Sequence, residues 1–248
     1  LVQPLIAARV SGGGLSRSAD GEMIISATWG LGSAIAQGEV VPDRIVLGRD
    51  LAVREIAPGR KLHRVGCAHG KQVVEAALIA EPCLTAAEAI ELGRMLLQSE
   101  RAVGGAAEIE WAKGAAGLTL LQARPLAIGE PEREHTPIPA SRVRLRGHPA
   151  GVGFASGRAR VVSCECELSR VGAGDILVSK VAGPALGSML ARVAGVVAEL
   201  GGSTSHLAAL ARERGVPMVL GVHGATERIP DGAMITLDGV AGVVHWSP

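Results

Sequence analysis

The chain has 248 residues, 48% hydrophobic and 20% charged, a composition typical of globular proteins with room for one large or two small domains. Lysine and arginine (25) nearly balance aspartate and glutamate (24), and the formal net charge of +1 does not indicate a nucleic-acid or membrane surface. Aromatic residues make up only 2% and tyrosine is absent, which argues against a base-stacking surface for single-stranded nucleic acid.

The apolar runs and the cysteine spacing of the sequence indicate the cellular compartment. No apolar run reaches the length of a membrane-spanning helix and no signal-peptide pattern is found, so we expect a cytoplasmic protein without a membrane partner. The four cysteines lack the spacing of a disulfide framework, as is usual in a reducing cytosol. Two of them, Cys164-x-Cys166, have the spacing of a metal-binding pair, but their neighbours favour a strand end. Leu1–Ile6 begins abruptly, which predicts a start partway into a larger fold.

The first predicted elements lie near the N-terminus. Met23–Ala27 has the apolar character of a short strand, and Ser33–Gln37 that of a short helix ended by Gly38. Residues 42–47 are interpreted as a turn into a second strand. Between them, Gly30-Leu31-Gly32 is by itself weak support for a phosphate loop.

One long helix is predicted next. Residues 49–81 show no strong period and are interpreted as strands and loops. The segment Leu84–Arg101 then has apolar residues at helical positions. Thr85 can cap its start, and Glu88, three residues later, completes a capping box. This helix is interpreted as structural.

A β-hairpin follows. Residues 108–112 and 118–125 have strand character, and the glycine-bearing loop between them favours a hairpin. Side chains alternate along a strand, so polar residues two apart share a face. The expected register has three residue pairs: Ala112 with Leu120, Glu110 with Gln122, and Glu108 with Arg124. Oxygen ligands beside a guanidinium suit Mg²⁺ and the phosphates of a nucleotide. The pattern alone nevertheless favours the alternative, an ordinary exposed hairpin with a surface ion pair.

The C-terminal half has the pattern of a separate domain. Residues 129–140 are polar and rich in proline, which is typical of a linker. Beyond them we expect short strands within 151–162, at 175–178 and at 234–238, and a helix around 186–190. A compact β/α domain is therefore predicted from about Ser141 to Pro248.

The most informative stretch lies within this second domain. Val193–Leu200 is an apolar segment of buried-strand length, and the adjacent Gly201 and Gly202 allow a sharp turn. A helix is predicted to follow, with residues 212–214 facing water and Gly215 ending it. His206 is therefore expected at or near the first turn of a helix.

A histidine in this position is suited to phosphoryl transfer. The amides at a helix start, the positive end of the helix dipole and the nearby hydroxyls form a site for an anion such as phosphate. A neutral imidazole is a nucleophile, and the dipole favours a dianionic phosphoryl group on the ring. The alternative is that Ser203 or Thr204 merely caps the helix and His206 is an ordinary surface residue. A Ser/His hydrolase fits poorly, because the nucleophile-elbow motif and an acid partner are missing.

The sequence Gly-Gly-Ser-Thr-Ser-His-Leu-Ala-Ala-Leu-Ala-Arg-Glu-Arg-Gly-Val-Pro from Gly201 resembles the signature of the swivelling phosphohistidine domain of phosphoenolpyruvate synthases and pyruvate phosphate dikinases. The resemblance implies that His206 carries the phosphoryl group. It assigns phosphate binding to a set of neighbouring residues: Gly201, Gly202, Thr204 and Ser205. Thr204 is in addition a candidate for regulatory phosphorylation. Leu207 stands where the family usually has alanine.

Two further segments resemble the ATP-grasp domain of the same family. In residues 26–43 the pattern Trp-Gly-Leu-Gly … Gln-Gly-Glu-Val-Val-Pro-Asp matches, with Ser33 where glutamate is usual. In residues 107–126 the pattern Glu-Ile-Glu-Trp-Ala … Gln-Ala-Arg-Pro matches, with Glu108 where aspartate is usual. The resemblance implies that Glu110 and Gln122 hold Mg²⁺ and that Arg124 contacts the phosphates of ATP.

The resemblance implies an α/β (α+β) fold in three parts: the C-terminal portion of an ATP-grasp domain (1–128), a linker (129–140), and a β/β/α swivelling phosphohistidine domain (141–248). ATP would phosphorylate His206, and the mobile domain would carry the phosphoryl group to an acceptor. Pyruvate is the expected acceptor. An antibiotic hydroxyl, as in rifampicin phosphotransferase, and a phosphocarrier module served by a partner chain are the alternatives. The rest of the ATP-grasp domain and an acceptor domain are expected before Leu1 and after Pro248, in cis or in a partner chain.

Overall fold

The computed structural model describes residues 4–67, 70–127 and 143–246, and the predicted linker at 129–140 lies outside the described residues. The described strands are β1 (Val10–Leu15), β2 (Met23–Trp29), β3 (Asp43–Leu47), β4 (Val53–Ala57), β5 (His63–Gly66), β6 (Gly70–Val73), β7 (Ala107–Gly114), β8 (Gly117–Pro125), β9 (Val143–Arg146), β10 (His148–Gly151), β11 (Phe154–Val162), β12 (Ile176–Ser179), β13 (Gly195–Ala198), β14 (Met218–Leu220), β15 (Met234–Asp238) and β16 (Val243–Trp246). The α-helices are α1 (Ser33–Ala36), α2 (Ala86–Val103), α3 (His206–Arg214) and α4 (Ala225–Arg228). Short 3₁₀ helices span Ala76–Leu78, Glu165–Arg170 and Pro184–Ala191. The fold class is α+β, as expected.

The chain divides into two compact units. The first comprises Leu1–Ala36 and Val40–Leu126, and the second comprises Gln37–Glu39 and Ala127–Pro248. None of the helices in the described part combines the length and apolar character needed to cross a membrane.

The first unit is built on an antiparallel sheet of six strands in the order β4-β3-β2-β1-β7-β8. Helix α2 covers one face, where Leu92 and Leu96 pack with Ile25, Ile45 and Trp111 in a buried cluster. The opposite face carries every second residue of the same strands, because side chains alternate along a strand. The polar residues of the predicted hairpin, Glu108 and Glu110, alternate with Ile109 and Trp111 of that cluster and so lie on this opposite face.

The predicted capping box of α2 is confirmed. The Thr85 hydroxyl accepts a hydrogen bond from the Glu88 amide, and the Glu88 carboxylate accepts one from the Thr85 amide. At the other end, Gly104 adopts a left-handed conformation with a φ of 77°, as a helix-ending glycine does. Local sequence signals therefore define both ends of the helix that supports the sheet.

A buried ion pair in the first unit was missed in the sequence. Lys61 is 0% exposed and its ammonium contacts the Asp43 carboxylate, which also accepts hydrogen bonds from the amides of Gly59 and Cys83, both at 2.7 Å. The carboxylate thus joins segments that are 16 to 40 residues apart in sequence. Burial and the Asp43 carboxylate raise the pKa of the Cys83 thiol, so Cys83 acts as a packing residue.

Replacing Lys61 should therefore destabilise the first unit strongly. Lys61→Met is expected to lower the free energy of unfolding by about 3–5 kcal/mol, because it leaves the Asp43 charge buried without its cation. Arg54→Met is the matched control, since it removes the Arg54–Asp50 pair, whose side chains are 51% and 59% exposed. The control should change stability by no more than about 0.5 kcal/mol. Urea unfolding of both variants decides this, and equal effects would contradict a stabilising role for the buried pair.

The second unit contains an eight-stranded mixed sheet in the order β10-β14-β13-β12-β11-β15-β16-β9. Its centre, β11 to β14, is parallel, and the remaining pairs are antiparallel. Strands β12 and β13 are buried on both faces: Leu177 and Val196 join the cluster that packs with α3, whereas Val178 and Val197 join the cluster on the other side. These strands consequently have the continuous apolar sequence of central parallel strands.

Two features of the second unit differ from those predicted. The helix expected around 186–190 is a 3₁₀ helix, Pro184–Ala191, with Leu186, Met189 and Leu190 buried as predicted. A disulfide between Cys164 and Cys166 was not predicted from the cysteine spacing. Strand β11 ends at Val162, and the chain then turns so that the Cα atoms of Cys164 and Cys166 lie 5.3 Å apart, within disulfide range, and their thiols are joined.

Candidate functional site

His206 is the first residue of α3, and its side chain is exposed. Strand β13 ends at Ala198, and the intervening loop turns at Gly201, whose φ of +104° is rarely adopted by residues with a side chain. Gly201 and Gly202 are both buried. The predicted strand, turn and helix start therefore present the imidazole to solvent.

The three hydroxyl residues before His206 have different environments. Ser205 is 0% exposed and caps α3, since its hydroxyl accepts from the Ala208 amide at 3.3 Å. The Ser203 hydroxyl donates to the Pro149 carbonyl at 2.7 Å. Within the described part of the chain, the buried Thr204 hydroxyl has no hydrogen-bond partner. Ser205 therefore caps the helix, not Ser203 or Thr204 as the alternative interpretation required, and the Thr204 hydroxyl keeps its hydrogen-bonding capacity.

The start of α3 has the features of an anion site. Among the described residues, the backbone amides of His206 and Leu207 donate no hydrogen bond, as is usual for the first amides of a helix. They lie where the positive end of the helix dipole favours negative charge. Together with the Thr204 hydroxyl, they are donors suited to phosphate oxygens.

The solvent exposure of Arg212 differs from the predicted one. It was expected to face water with its two neighbours, but it is only partly exposed, and its Nη1 donates to the Ser203 carbonyl at 2.5 Å and to the Ala150 carbonyl at 3.4 Å. The two other members of the run, Glu213 and Arg214, are exposed as predicted. The acceptor at Ala150 lies 62 residues away in sequence, so no helical pattern could have revealed it.

In the first unit, strands β7 and β8 form the predicted hairpin. Glu110 lies opposite Gln122, and Glu108 lies opposite Arg124, as predicted. The expected pairing of Ala112 with Leu120 is wrong, because a bulge shifts the register after Glu110 and pairs Trp111 with Leu120. The unpaired residue of the bulge is Leu121. Leu121 and Gln122 both line a cavity of the first unit.

The two polar pairs of the hairpin are not equivalent. Glu108 is 7% exposed, and its carboxylate pairs with the Arg124 guanidinium at 3.2 Å. Glu110 and Gln122 are exposed. The pair Glu110–Gln122 therefore keeps its oxygen atoms accessible, whereas Arg124 already has an anionic partner.

A cavity of about 340 Å³ opens at this pair. Glu110 and Gln122 lie at its wall with Leu31, Gly32 and the apolar residues 4–6. Two segments that are distant in sequence, around residue 32 and around residue 122, thus meet at one cavity. Ser33 begins α1, and its buried hydroxyl has no hydrogen-bond partner within the part of the chain that the structure describes.

The accessible oxygens suit a hard cation better than a zinc-type site. Across residues 4–67, 70–127 and 143–246, no group of three or more His, Cys, Asp or Glu side chains is arranged to hold a metal ion. Mg²⁺ is commonly held by one or two protein oxygens, with water and substrate phosphates as its other ligands. The Glu110 carboxylate and the Gln122 amide, opposite each other on neighbouring strands, fit that donor set.

The chain matches two family models and a set of named relatives. The model of the pyruvate phosphate dikinase AMP/ATP-binding domain covers residues 1–143, and that of the PEP-utilising enzyme mobile domain covers residues 171–242. The chain is 30% identical to the phosphoenolpyruvate synthase of Aeropyrum pernix over 292 aligned positions, covering 99% of this chain and 36% of that protein. It is 34% identical to the probable phosphoenolpyruvate synthase of Archaeoglobus fulgidus, covering 92% and 32%.

The chain therefore spans about a third of the length of these relatives. Among solved structures, an NMR structure of the Enzyme I (nEIt) protein is 28% identical over 33% of this chain and 34% of that chain. Its TM-score of 0.30 is too low to bear on the fold.

Proposed function

We propose that this chain, which belongs to the family of the pyruvate phosphate dikinase AMP/ATP-binding domain, takes a phosphoryl group from ATP onto His206 and passes it to a second substrate. In this proposal residues 1–128 are the C-terminal portion of an ATP-grasp domain. Residues 129–140 are a linker, and residues 141–248 are a swivelling phosphohistidine domain. A single carrier residue would then serve two separate reaction sites, because covalent catalysis divides the transfer into two steps.

The hairpin is assigned to the nucleotide. Glu110 and Gln122 would hold Mg²⁺ through their accessible oxygens, and Arg124 would orient a phosphate once ATP is bound. Mg²⁺, when bound, neutralises charge on the phosphates. The assignment is supported by the accessible Glu110–Gln122 pair at the wall of the cavity. It is also supported by Leu31 and Gly32, which line the same cavity and belong to the other segment with ATP-grasp resemblance.

His206 is assigned to the transfer itself. A ring nitrogen attacks a phosphorus atom of ATP, an N–P bond forms, and the P–O bond to the remainder of ATP, the leaving group, breaks. The amides of His206 and Leu207 and the Thr204 hydroxyl would bind the oxygens of the transferred group. The observation that carries the proposal is the exposed imidazole at the first position of α3, beside unused donors.

The proposed acceptor of the phosphoryl group follows from the activity for which the relatives are named. They are named phosphoenolpyruvate synthases, so pyruvate is the first choice of acceptor. An antibiotic hydroxyl and a carrier role with a partner chain remain the alternatives. Assays with pyruvate and with rifampicin separate the first two, and a partner-dependent phosphorylation of His206 would identify the third.

The chain alone is expected to bind Mg-ATP weakly. The cavity wall contains no lysine or arginine among the described residues, and Arg124 is paired with Glu108. A triphosphate is costly to desolvate without cationic partners. Titration calorimetry should give a dissociation constant of about 1 mM or weaker. Micromolar binding with stoichiometric labelling of His206 would show that the chain holds a complete kinase site.

A further inference from the structure

We infer that Arg212 is a positioning residue for His206, holding the loop 201–205 against strand β10 so that the imidazole is presented at the start of α3. This inference rests on the proposed role of His206. Arg212 lies six positions after His206 on the same helix, and its guanidinium reaches back to the loop rather than out to solvent.

The Arg212 guanidinium contacts two backbone carbonyls. Nη1 of Arg212 donates to the carbonyl of Ser203 at 2.5 Å and to that of Ala150 at 3.4 Å. A charged donor makes stronger hydrogen bonds than a neutral one. The guanidinium therefore bridges the loop that precedes His206 and the edge strand of the sheet.

Strand β10 has backbone carbonyls available to accept these bonds. Strand β10 lies at the edge of the sheet and pairs with β14 only. Its register shifts between Pro149 and Gly151, so Ala150 is the bulged residue with no partner in the ladder. The Pro149 carbonyl accepts the Ser203 hydroxyl at 2.7 Å, and the Ala150 carbonyl accepts Arg212. Because Pro149 lies on an edge strand and Ala150 lies in the bulge, both carbonyls are available as acceptors, one for the Ser203 hydroxyl and the other for Arg212.

A loop with two glycines is costly to order and so depends on such contacts. Gly201 and Gly202 give the backbone more freedom than other residues, and that freedom is lost when the loop is ordered. Ser203 sits between these glycines and the cap at Ser205. The bonds from Arg212 and to Pro149 both involve Ser203, so they fix the middle of the loop. Loss of these hydrogen bonds at Ser203 would displace His206 from its reactive position.

The test compares Arg212→Met with two further variants. Arg212→Lys keeps the charge but cannot reproduce the planar fork of donors. Arg214→Met is the control, because Arg214 is exposed on the same helix and donates to the Gly187 carbonyl at 3.0 Å, away from the loop. The rate of His206 phosphorylation is measured in the longest gene product that contains the chain, with ATP varied. Amide hydrogen exchange of residues 203–205 is measured in the chain itself.

Arg212→Met should lower the maximal phosphorylation rate about 100-fold, while the KM for ATP changes less than about 3-fold. Arg212→Lys should recover part of the rate, and Arg214→Met should behave like the parent. Exchange at residues 203–205 should become about 10-fold faster in Arg212→Met alone. The inference is overturned by an unchanged rate, by equal losses in Arg212→Met and Arg214→Met, or by unchanged exchange. If Arg212→Met does not fold, the phosphorylation rate and the amide exchange of Arg212→Lys test the inference instead.

The exchange measurement separates this inference from the proposed function. It needs no phosphoryl donor, so faster exchange in Arg212→Met supports the bridge even if the parent shows no adduct at His206. Absence of that adduct would remove the proposed function, and with it the catalytic meaning of the bridge. Unchanged exchange beside normal phosphorylation of His206 would overturn the positioning role alone.

Discussion

His206→Ala is expected to abolish the acid-labile, base-stable phosphoryl adduct, a loss of about 10³-fold or more in labelling. No other group can take over the step, because the proposed donors around the site are arranged about the first residue of α3. The measurement is intact mass of the longest gene product containing the chain, after incubation with Mg-ATP or phosphoenolpyruvate. Both donors should fail, since both would deliver to the same nitrogen.

His223→Ala is the matched control for this experiment. His223 is also an exposed histidine of the second unit, but it lies outside the loop and α3. Its variant should label like the parent. Persistent labelling of His206→Ala, or equal loss in the two variants, would remove the assignment of His206 as phosphoryl acceptor.

Glu110→Ala and Gln122→Ala are each expected to lower ATP-dependent labelling of His206 about 100-fold, because each removes one oxygen ligand from the proposed Mg²⁺ and nucleotide site. Labelling from phosphoenolpyruvate should stay close to that of the parent wherever the gene product includes an acceptor domain. The two donors are used at different sites in the proposal, so the hairpin should affect only one of them.

Glu91→Ala is the control for the hairpin variants. It removes an exposed carboxylate from α2, the helix on the other face of the sheet. ATP-dependent labelling should be unaffected. Equal loss from both donors in Glu110→Ala would instead mean that the hairpin is structural, and recovery at raised Mg²⁺ would support the assignment of Glu110 as a metal ligand.

The hairpin illustrates how far sequence reasoning extends. Alternation along β7 and β8 was enough to place Glu110 opposite Gln122 and Glu108 opposite Arg124. The bulge at Leu121 was missed because Leu120 and Leu121 are both apolar and either can occupy the extra position. Such a shift depends on packing against other strands, which a local pattern does not contain.

The errors at buried or half-buried charges share one cause. Lys61 lies in a segment without clear periodicity, and its partner Asp43 is 18 residues earlier. Arg212 was assigned to solvent because it stands in a charged run on a helix. In both cases at least one acceptor lies outside the local segment: Asp43 is 18 residues from Lys61, and Ala150 is 62 residues from Arg212. Tertiary contacts of this kind override the expectation that charged side chains face water.

The start of α3 was predicted more closely, since its signals are local. The glycine pair, the hydroxyl residues and Gly215 determine where the helix begins and ends. The cap named in the alternative interpretation, Ser203 or Thr204, is not the one observed, because Ser205 accepts the helix amide. The distinction matters, because it leaves the Thr204 hydroxyl as the one beside His206 without a partner among the described residues.

In the proposed function the phosphoryl group resides on the imidazole of His206. Tandem mass spectrometry of the labelled protein locates the modified site, under conditions that preserve phosphohistidine and with a parallel acid treatment. We expect one modified residue, His206, in the peptide that begins the α3 helix, and loss of the modification in acid. An acid-stable phosphate on Thr204 or Ser203, with His206 unmodified during turnover, would contradict this expectation.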